Sequence, residues 1–115
     1  MRPILFLLKP DFFDKDCNES AVYFCPNSAL IEGILSYYPE IIAYLDIRYV
    51  DFTRPRKKII EFLGEDNQLC PTLIISLNNP NSQAFEKYDS FYFTTDVKVI
   101  ADFFCKEFFI GKWHV

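Results

Sequence analysis

The sequence predicts one α/β domain across residues 1–115, with a mixed central sheet of about four strands and helices on both faces. Continuous apolar runs at residues 3–9 and 71–77 are typical of strands buried on both sides of a sheet. Apolar residues at helical spacing follow Pro26 and Pro55. A chain of 115 residues, 50% of them apolar, supplies one packed core and leaves no room for a second domain.

The first half of the chain is predicted to run strand, loop, helix and strand. Residues 3–9 form the first strand, and the polar residues of 10–20 indicate an irregular loop. Pro26 suits the first turn of a helix, and Pro39 either ends that helix or restarts it as a short second piece over residues 40–44. Alternation in residues 46–52 then predicts a strand. Two strands joined by a crossover helix imply a parallel, right-handed pair.

The second half adds a helix, two strands and a final helix. A helix opens at residues 53–56 and ends at Gly64, which is a common helix stop. Residues 71–77 form another buried strand, and a turn then leads to a hairpin partner at residues 88–93. These two strands imply an antiparallel edge of the sheet. The segment Thr94-Thr95-Asp96 caps the final helix.

Composition excludes several classes of function. The net charge of −4 and the pI near 4.9 disfavour nucleic-acid binding, since the global field repels phosphate. No apolar run approaches the roughly 20 residues of a membrane span. The apolar start lacks a cleavage site and predicts a core strand rather than a signal peptide. We therefore expect a cytoplasmic protein, without membrane or nucleic-acid partners, whose four cysteines are reduced.

The motif Cys25-Pro26-Asn27-Ser28 indicates a functional site. Its cysteine follows a predicted strand and loop, and its proline stands in the first turn of a helix. The unpaired N–H groups and the positive dipole end of a helix stabilise a thiolate over a thiol. Ser28 stands where a second cysteine would complete a Cys-x-x-Cys redox pair, so the motif holds a single thiol.

At this motif, and at Cys70-Pro71 where the third predicted strand opens, the chain resembles glutaredoxins and the N-terminal domains of glutathione transferases. The resemblance implies a thioredoxin-like three-layer sandwich in which Pro71 is cis and lies beside the active-site thiol. The chain resembles more closely, over nearly its whole length, a bacterial family of thioredoxin-like domains of unknown function. The segments that carry this closer resemblance are residues 7–10, 25–33, 50–56 and 63–68.

The resemblance implies glutathione as a ligand and assigns roles by analogy. The backbone of Cys70 would pair with the cysteinyl part of glutathione. Thr95 and Asp96, at the start of the last helix, would hold its γ-glutamyl end. Ser28 departs from two-thiol members of the superfamily, which carry cysteine there. This departure excludes a disulfide within the motif and leaves a monothiol mechanism or none.

Alternatives stay open for each candidate residue. Cys25 is either a thiolate that attacks a disulfide or glutathione adduct, or an inert, half-buried cysteine. Lys9 either stabilises that thiolate or a ligand carboxylate, or is a solvated strand end. If Pro71 is cis, Cys70 lies close to Cys25, and the two thiols form a disulfide only if their Cβ atoms face each other. With a single histidine in the chain, we expect no metal site.

Arg54 and Arg56 flank Pro55 at the predicted helix start, where a contact with an anion is chemically natural. A surface pair beside Glu61 or Asp51 is the interpretation that we favour.

Aromatic residues lie on more than one side of the last helix, so some of them remain exposed. Such a surface suits a protein partner or a second copy of the chain. These residues are Phe103, Phe104, Phe108, Phe109 and Trp113.

Two functions fit these observations. The first is a monothiol glutaredoxin-like or glutathione-binding protein with Cys25 as the reactive thiol. The second is a non-catalytic thioredoxin-fold module that binds a protein through the same groove or through the aromatic helix. The thiol at a helix start favours the first function. The acidic loop at residues 11–16 and the absent second cysteine favour the second.

Overall fold

The computed structural model describes residues 1–115 and contains a mixed five-stranded sheet, a two-stranded hairpin and three α-helices. The strands are β1 Ile4–Leu8, β2 Phe12–Asp14, β3 Asn18–Tyr23, β4 Asp46–Val50, β5 Thr72–Ser76, β6 Glu86–Tyr88 and β7 Phe91–Thr94. The helices are α1 Pro26–Tyr37, α2 Lys57–Leu63 and α3 Val97–Phe108, and a 3₁₀ helix spans Pro39–Tyr44. None of these helices combines the length and the apolar character that crossing a membrane requires.

The strands of the main sheet lie in the order β4-β1-β5-β7-β6. β1 and β4 are parallel, as the strand–helix–strand order predicts, and the other pairs are antiparallel. The sheet has a fifth strand, beyond the about four predicted, because residues 88–93 contain a turn. Asp89 has a φ of 51° there, a left-handed conformation that aspartate tolerates better than most residues. β6 and β7 therefore form on either side of it.

The prediction of an irregular loop at residues 10–20 is wrong, because β2 and β3 form an antiparallel hairpin there. The ring of Phe12 stacks on the ring of Phe52, with centroids 4.3 Å apart and planes 5° from parallel. Phe52 lies just after β4, far along the chain from the hairpin. Since a two-stranded hairpin is marginally stable by itself, this long-range stack explains why polar residues adopt strands here.

The side chains of β1 alternate between the two faces of the main sheet. Leu5 and Leu7 join residues of α1 and α3 in one buried apolar cluster. Ile4 and Phe6 join residues of α2 in a second cluster. Helices therefore pack on both faces, as predicted, and burial on both sides accounts for the continuous apolar sequence of β1.

Helix α2 begins at Lys57 rather than within residues 53–56. The Arg54–Pro55 peptide is cis, and residues 53–56 form a loop. The backbone N–H of Arg56 donates to the side-chain oxygen of Gln68 at 2.8 Å. The carbonyl of Arg56 accepts the N–H groups of Ile59 and Ile60 in α2, whereas its own N–H is held by the segment before β5, so the helix starts after this residue.

Candidate thiol site

Cys25 is the N-cap residue of α1, a helix of 12 residues. Its sulfur accepts the backbone N–H of Ser28 at 3.4 Å. The side chain is half-buried and free of any disulfide. A cysteine at this place caps the helix with a sulfur in place of the usual oxygen, at the end where the unpaired N–H groups and the positive end of the helix dipole lie.

Ser28 ties the first turn of α1 to the end of β1. Its hydroxyl oxygen accepts the backbone N–H of Leu8 at 3.2 Å, and the residue is only 3% exposed. Because a buried N–H without a partner is costly, this hydrogen bond fixes the position of the helix start against the sheet. Ser28 thus positions Cys25, whose capping N–H it also supplies.

The Cys70–Pro71 peptide is cis, as the resemblance implied, and Pro71 is buried. The thiol of Cys25 donates to the backbone carbonyl of Cys70 across a distance of 3.8 Å. The Cys70 side chain packs against the apolar cluster on the α2 side of the sheet. The group of Cys70 that contacts Cys25 is therefore its carbonyl oxygen, and both thiols are free.

Burial sets the charge state of Cys70. It raises the pKa of the Cys70 thiol from 9.0 to about 11, although the positive charge of Arg56 acts in the opposite direction. Cys70 is accordingly a neutral thiol near pH 7. It supplies backbone and packing to the site rather than a second thiolate.

An open cavity of about 250 Å³ lies beside Cys25. The hydroxyl of Tyr49 in this cavity donates to Glu32 at 2.6 Å. Burial, followed by this hydrogen bond, raises the pKa of Tyr49 to about 12. The cavity is lined by Leu8, Pro10, Phe24, Cys25, Ser28, Ala29, Glu32 and Tyr49.

Arg56 contradicts the favoured prediction of a surface pair, because it is only 7% exposed. Its guanidinium donates to the carbonyls of Phe52, at 2.6 and 3.1 Å, and of Gln68, at 2.7 Å. It also lies over the Phe52 ring, 5.6 Å from the centroid. Burial lowers the pKa of Arg56, and no carboxylate pairs with it. An unpaired charge is costly to bury, and buried charges are normally paired with an opposite charge. Arg56 is an exception, because backbone carbonyls are its hydrogen-bond partners.

A second cavity, of about 220 Å³, adjoins the first and shares Tyr49 with it. Lys9 lies on its wall, and its ammonium pairs with Asp51 at 3.2 Å, with both side chains largely exposed. We call this second space the basic cavity. It is lined by Lys9, Tyr49, Val50, Asp51, Thr53, Pro55, Arg56, Lys57 and Lys58.

Thr95 and Asp96 lie at the same end of the sheet as the cis proline. Leu73 pairs with Thr94 in the β5–β7 register, which places the residues before β5 beside those after β7. Asp96 caps α3 as predicted, and one of its carboxylate oxygens accepts both capping N–H groups. Neither Thr95 nor Asp96 lines the Cys25 cavity or the basic cavity.

The sequence profile of a family described as Protein of unknown function (DUF3088) matches residues 2–111. The chain belongs to the DUF3088 family. No curated protein and no solved structure matches the chain significantly, so the comparisons do not extend to glutaredoxins or glutathione transferases. The match to the family covers every element from β1 to α3, and with them the whole candidate site.

In this DUF3088 chain, the sequence predicts part of the site and misses two of its residues. Cys25, Ser28 and Lys9, all candidates from the sequence, line the two cavities. Arg56 is named from the sequence as an anion contact or a surface residue, but its burial is not predicted. Glu32 and Tyr49 are not candidates. The signal for Glu32 is its spacing of seven residues from Cys25, which is two turns along one helix face. Tyr49 carries no such local signal.

No three side chains of His, Cys, Asp or Glu converge on a point where a metal ion would bind. The groups that do converge are one thiol, a hydrogen-bonded tyrosine–glutamate pair and a set of cations. Such a site suits a nucleophilic sulfur next to an anionic ligand.

Proposed function

We propose that the protein is a monothiol protein of thioredoxin-like type, which binds glutathione and exchanges thiols through Cys25 in a reducing, cytoplasmic compartment. The observation that carries this proposal is the position of the Cys25 sulfur. It caps α1, accepts the N–H of Ser28 and lies 3.8 Å from the carbonyl before the cis proline, on the wall of an open cavity.

The order of elements supports the thioredoxin-like assignment. The thiol follows β1 and opens the helix that crosses to the parallel strand β4. The cis proline opens β5, next to β1, and β7 follows antiparallel to β5. This order places Cys25, the cis proline and the start of α3 at one end of a single sheet.

The groups around this end of the sheet suit a glutathione molecule. The Cys70 backbone, beside the cis proline, would pair with the cysteinyl part. Asp96 keeps one carboxylate oxygen free of capping hydrogen bonds, and this oxygen would accept from the γ-glutamyl ammonium. Lys9, whose exposed pairing with Asp51 is weak, would attract a ligand carboxylate.

The proposed reaction is thiol–disulfide exchange in two steps. The Cys25 thiolate attacks one sulfur of a mixed disulfide between glutathione and a second thiol. A bond forms between Cys25 and the glutathione sulfur, and the second thiol leaves as a thiolate. The thiolate of another glutathione then attacks this mixed disulfide, which releases oxidised glutathione and restores the Cys25 thiolate. Each turnover therefore converts one mixed disulfide and one glutathione thiolate into the second thiolate and oxidised glutathione.

A Cys25→Ser variant tests the proposal. We expect it to lose glutathione-dependent reduction of a mixed disulfide of glutathione and 2-mercaptoethanol, because no sulfur remains at the helix start. Cys105→Ser is the matched control, since it removes a half-buried thiol of α3 and should keep the activity. Formation of oxidised glutathione is the readout. Activity that survives Cys25→Ser, or that wild type never shows, would refute the proposal.

Exposed aromatic residues favour a second candidate, a non-catalytic module that binds a protein partner or a second copy of the chain. Phe109 follows α3 with a left-handed backbone and is 90% exposed. Tyr37 and Tyr44 are also exposed. Phe103 and Phe104 are buried in the core, so only the end of α3 offers this surface. The module is the function that remains if wild-type protein has no exchange activity.

A further inference from the structure

The basic cavity gathers positive charges that the protein does not pair. Arg56, Lys57 and Lys58 line it, and none of the three forms an ion pair. Lys9 is a fourth cation, and its partner Asp51 supplies the only carboxylate of the lining. The chain as a whole has a net charge of −4, so a positive cavity is a local arrangement against the overall charge.

Arg56 distinguishes this cavity from an ordinary patch of surface lysines. More than nine-tenths of the residue is buried, and its guanidinium is fixed by three hydrogen bonds to backbone carbonyls. Each terminal nitrogen makes one of these bonds and keeps one N–H free. The fold thus holds a rigid cation in the cavity wall. Two of its N–H groups remain free to bind a ligand, and no carboxylate forms an ion pair with it.

The charge and the size of the cavity select a compact, doubly charged anion. A phosphate group carries close to two negative charges near pH 7 and offers several acceptor oxygens. Guanidinium recognises such groups by paired hydrogen bonds, and ammonium groups add charge. A volume of about 220 Å³ accommodates a phosphate group.

We propose that the basic cavity binds a phosphate group, either as inorganic phosphate or as the phosphoryl end of a small molecule. Arg56 anchors two oxygens, and Lys57 and Lys58 neutralise the charge. Cys25 does not line this cavity, so the site stands whether or not Cys25 performs thiol exchange.

Titration of the full chain with inorganic phosphate tests the proposal, followed by ¹H–¹⁵N NMR at constant ionic strength because exposed charges are screened by salt. We expect saturable shifts at the amides of Lys57 and Lys58. A Lys57→Gln/Lys58→Gln double variant should bind phosphate at least about tenfold more weakly. Lys87→Gln/Lys112→Gln, which loses the same charge away from the cavity, should bind within about twofold of wild type. Both lysine pairs are exposed, so these variants should fold.

A titration with ribose 5-phosphate distinguishes inorganic phosphate from a phosphorylated small molecule as the ligand. Ribose without phosphate is the control. Tighter binding of ribose 5-phosphate than of inorganic phosphate identifies a phosphorylated small molecule, and equal binding identifies the free ion. Absence of saturation, or equal weakening in the two double variants, would overturn the proposal. Displacement of phosphate by reduced glutathione would overturn it too, since the cavity would then belong to a glutathione carboxylate. Cys25→Ser should bind phosphate unchanged.

Discussion

The thiols of this protein have different immediate neighbours, which affect how readily each releases its proton. Cys17 is fully exposed, but its thiol donates to the Asp14 carboxylate at 3.6 Å, and this hydrogen bond and charge raise its pKa. Burial raises the pKa of Cys70 to about 11. Only Cys25 has a backbone N–H donor at a helix start. Exposure alone would predict that Cys17 is the most reactive of these thiols.

We therefore predict that iodoacetamide modifies Cys25 at pH 7 ahead of the more exposed Cys17 and well ahead of Cys70. The rate of alkylation follows the fraction of thiolate, and both Cys17 and Cys70 hold their protons more tightly than an ordinary thiol. Peptide mapping by mass spectrometry at short times gives the order. The Asp14→Asn variant should speed alkylation of Cys17 and leave Cys25 unchanged. Faster modification of Cys17 in wild type would contradict the prediction.

Residue patterns reveal the thiol of this site but not its electrostatic surroundings. The helix-start position of Cys25 follows from the adjacent proline and the apolar spacing after it. Arg56 is different, since a charged residue in a basic run predicts a surface. Its burial depends on hydrogen bonds to the carbonyls of Phe52 and Gln68, which come close together only in the folded chain. No local sequence pattern predicts that these two carbonyls lie near each other.

At the scale of elements, the β2–β3 hairpin shows where sequence periodicity fails. Its strands mix good strand formers such as Phe12, Phe13 and Tyr23 with polar residues, and no regular alternation of apolar and polar positions marks them. The stack of Phe12 on Phe52 fixes the hairpin against the loop that carries Arg56. The buried strands β1 and β5 were predictable because their apolar runs depend on burial by the whole sheet. A hairpin held by one aromatic pair lacks such a run.

We predict that Phe12→Ala loosens this hairpin at a cost of about 1–2 kcal/mol, since the ring is half-buried and stacked. Backbone amides of β3 should then exchange with deuterium faster, while those of β5 should keep their protection. Phe13→Ala is the matched control, because it removes an identical ring that is 63% exposed and unstacked. Equal loss of protection in both variants would show that the stack does not hold the hairpin.

At the scale of the whole molecule, the predicted order of elements is confirmed more completely than their bounds. The parallel pair of β1 and β4 and the helices on both faces follow from alternating strand and helix patterns. Turn positions inside polar segments, such as Asp89 between β6 and β7, are decided by single backbone conformations. The overall topology is therefore predictable because many residues contribute to it. An edge strand depends on only a few residues, so it is harder to predict.

We predict that the free energy of unfolding falls between about pH 9 and pH 11, partly because the Cys70 thiol has a raised pKa in the folded state. The unfolded thiol releases its proton near 9.0, whereas burial holds the folded pKa at about 11. The unfolded state thus binds fewer protons in this window, so rising pH favours unfolding; below pH 9 the contribution is complete. Urea midpoints under reducing conditions at pH 8, 9, 10 and 11 measure the fall. Cys70→Ala should flatten it, and Cys105→Ala should not. If stability falls equally steeply in Cys70→Ala, the loss comes from other groups and the prediction is wrong. Tyr49 is the next group to test, since its pKa is raised to about 12.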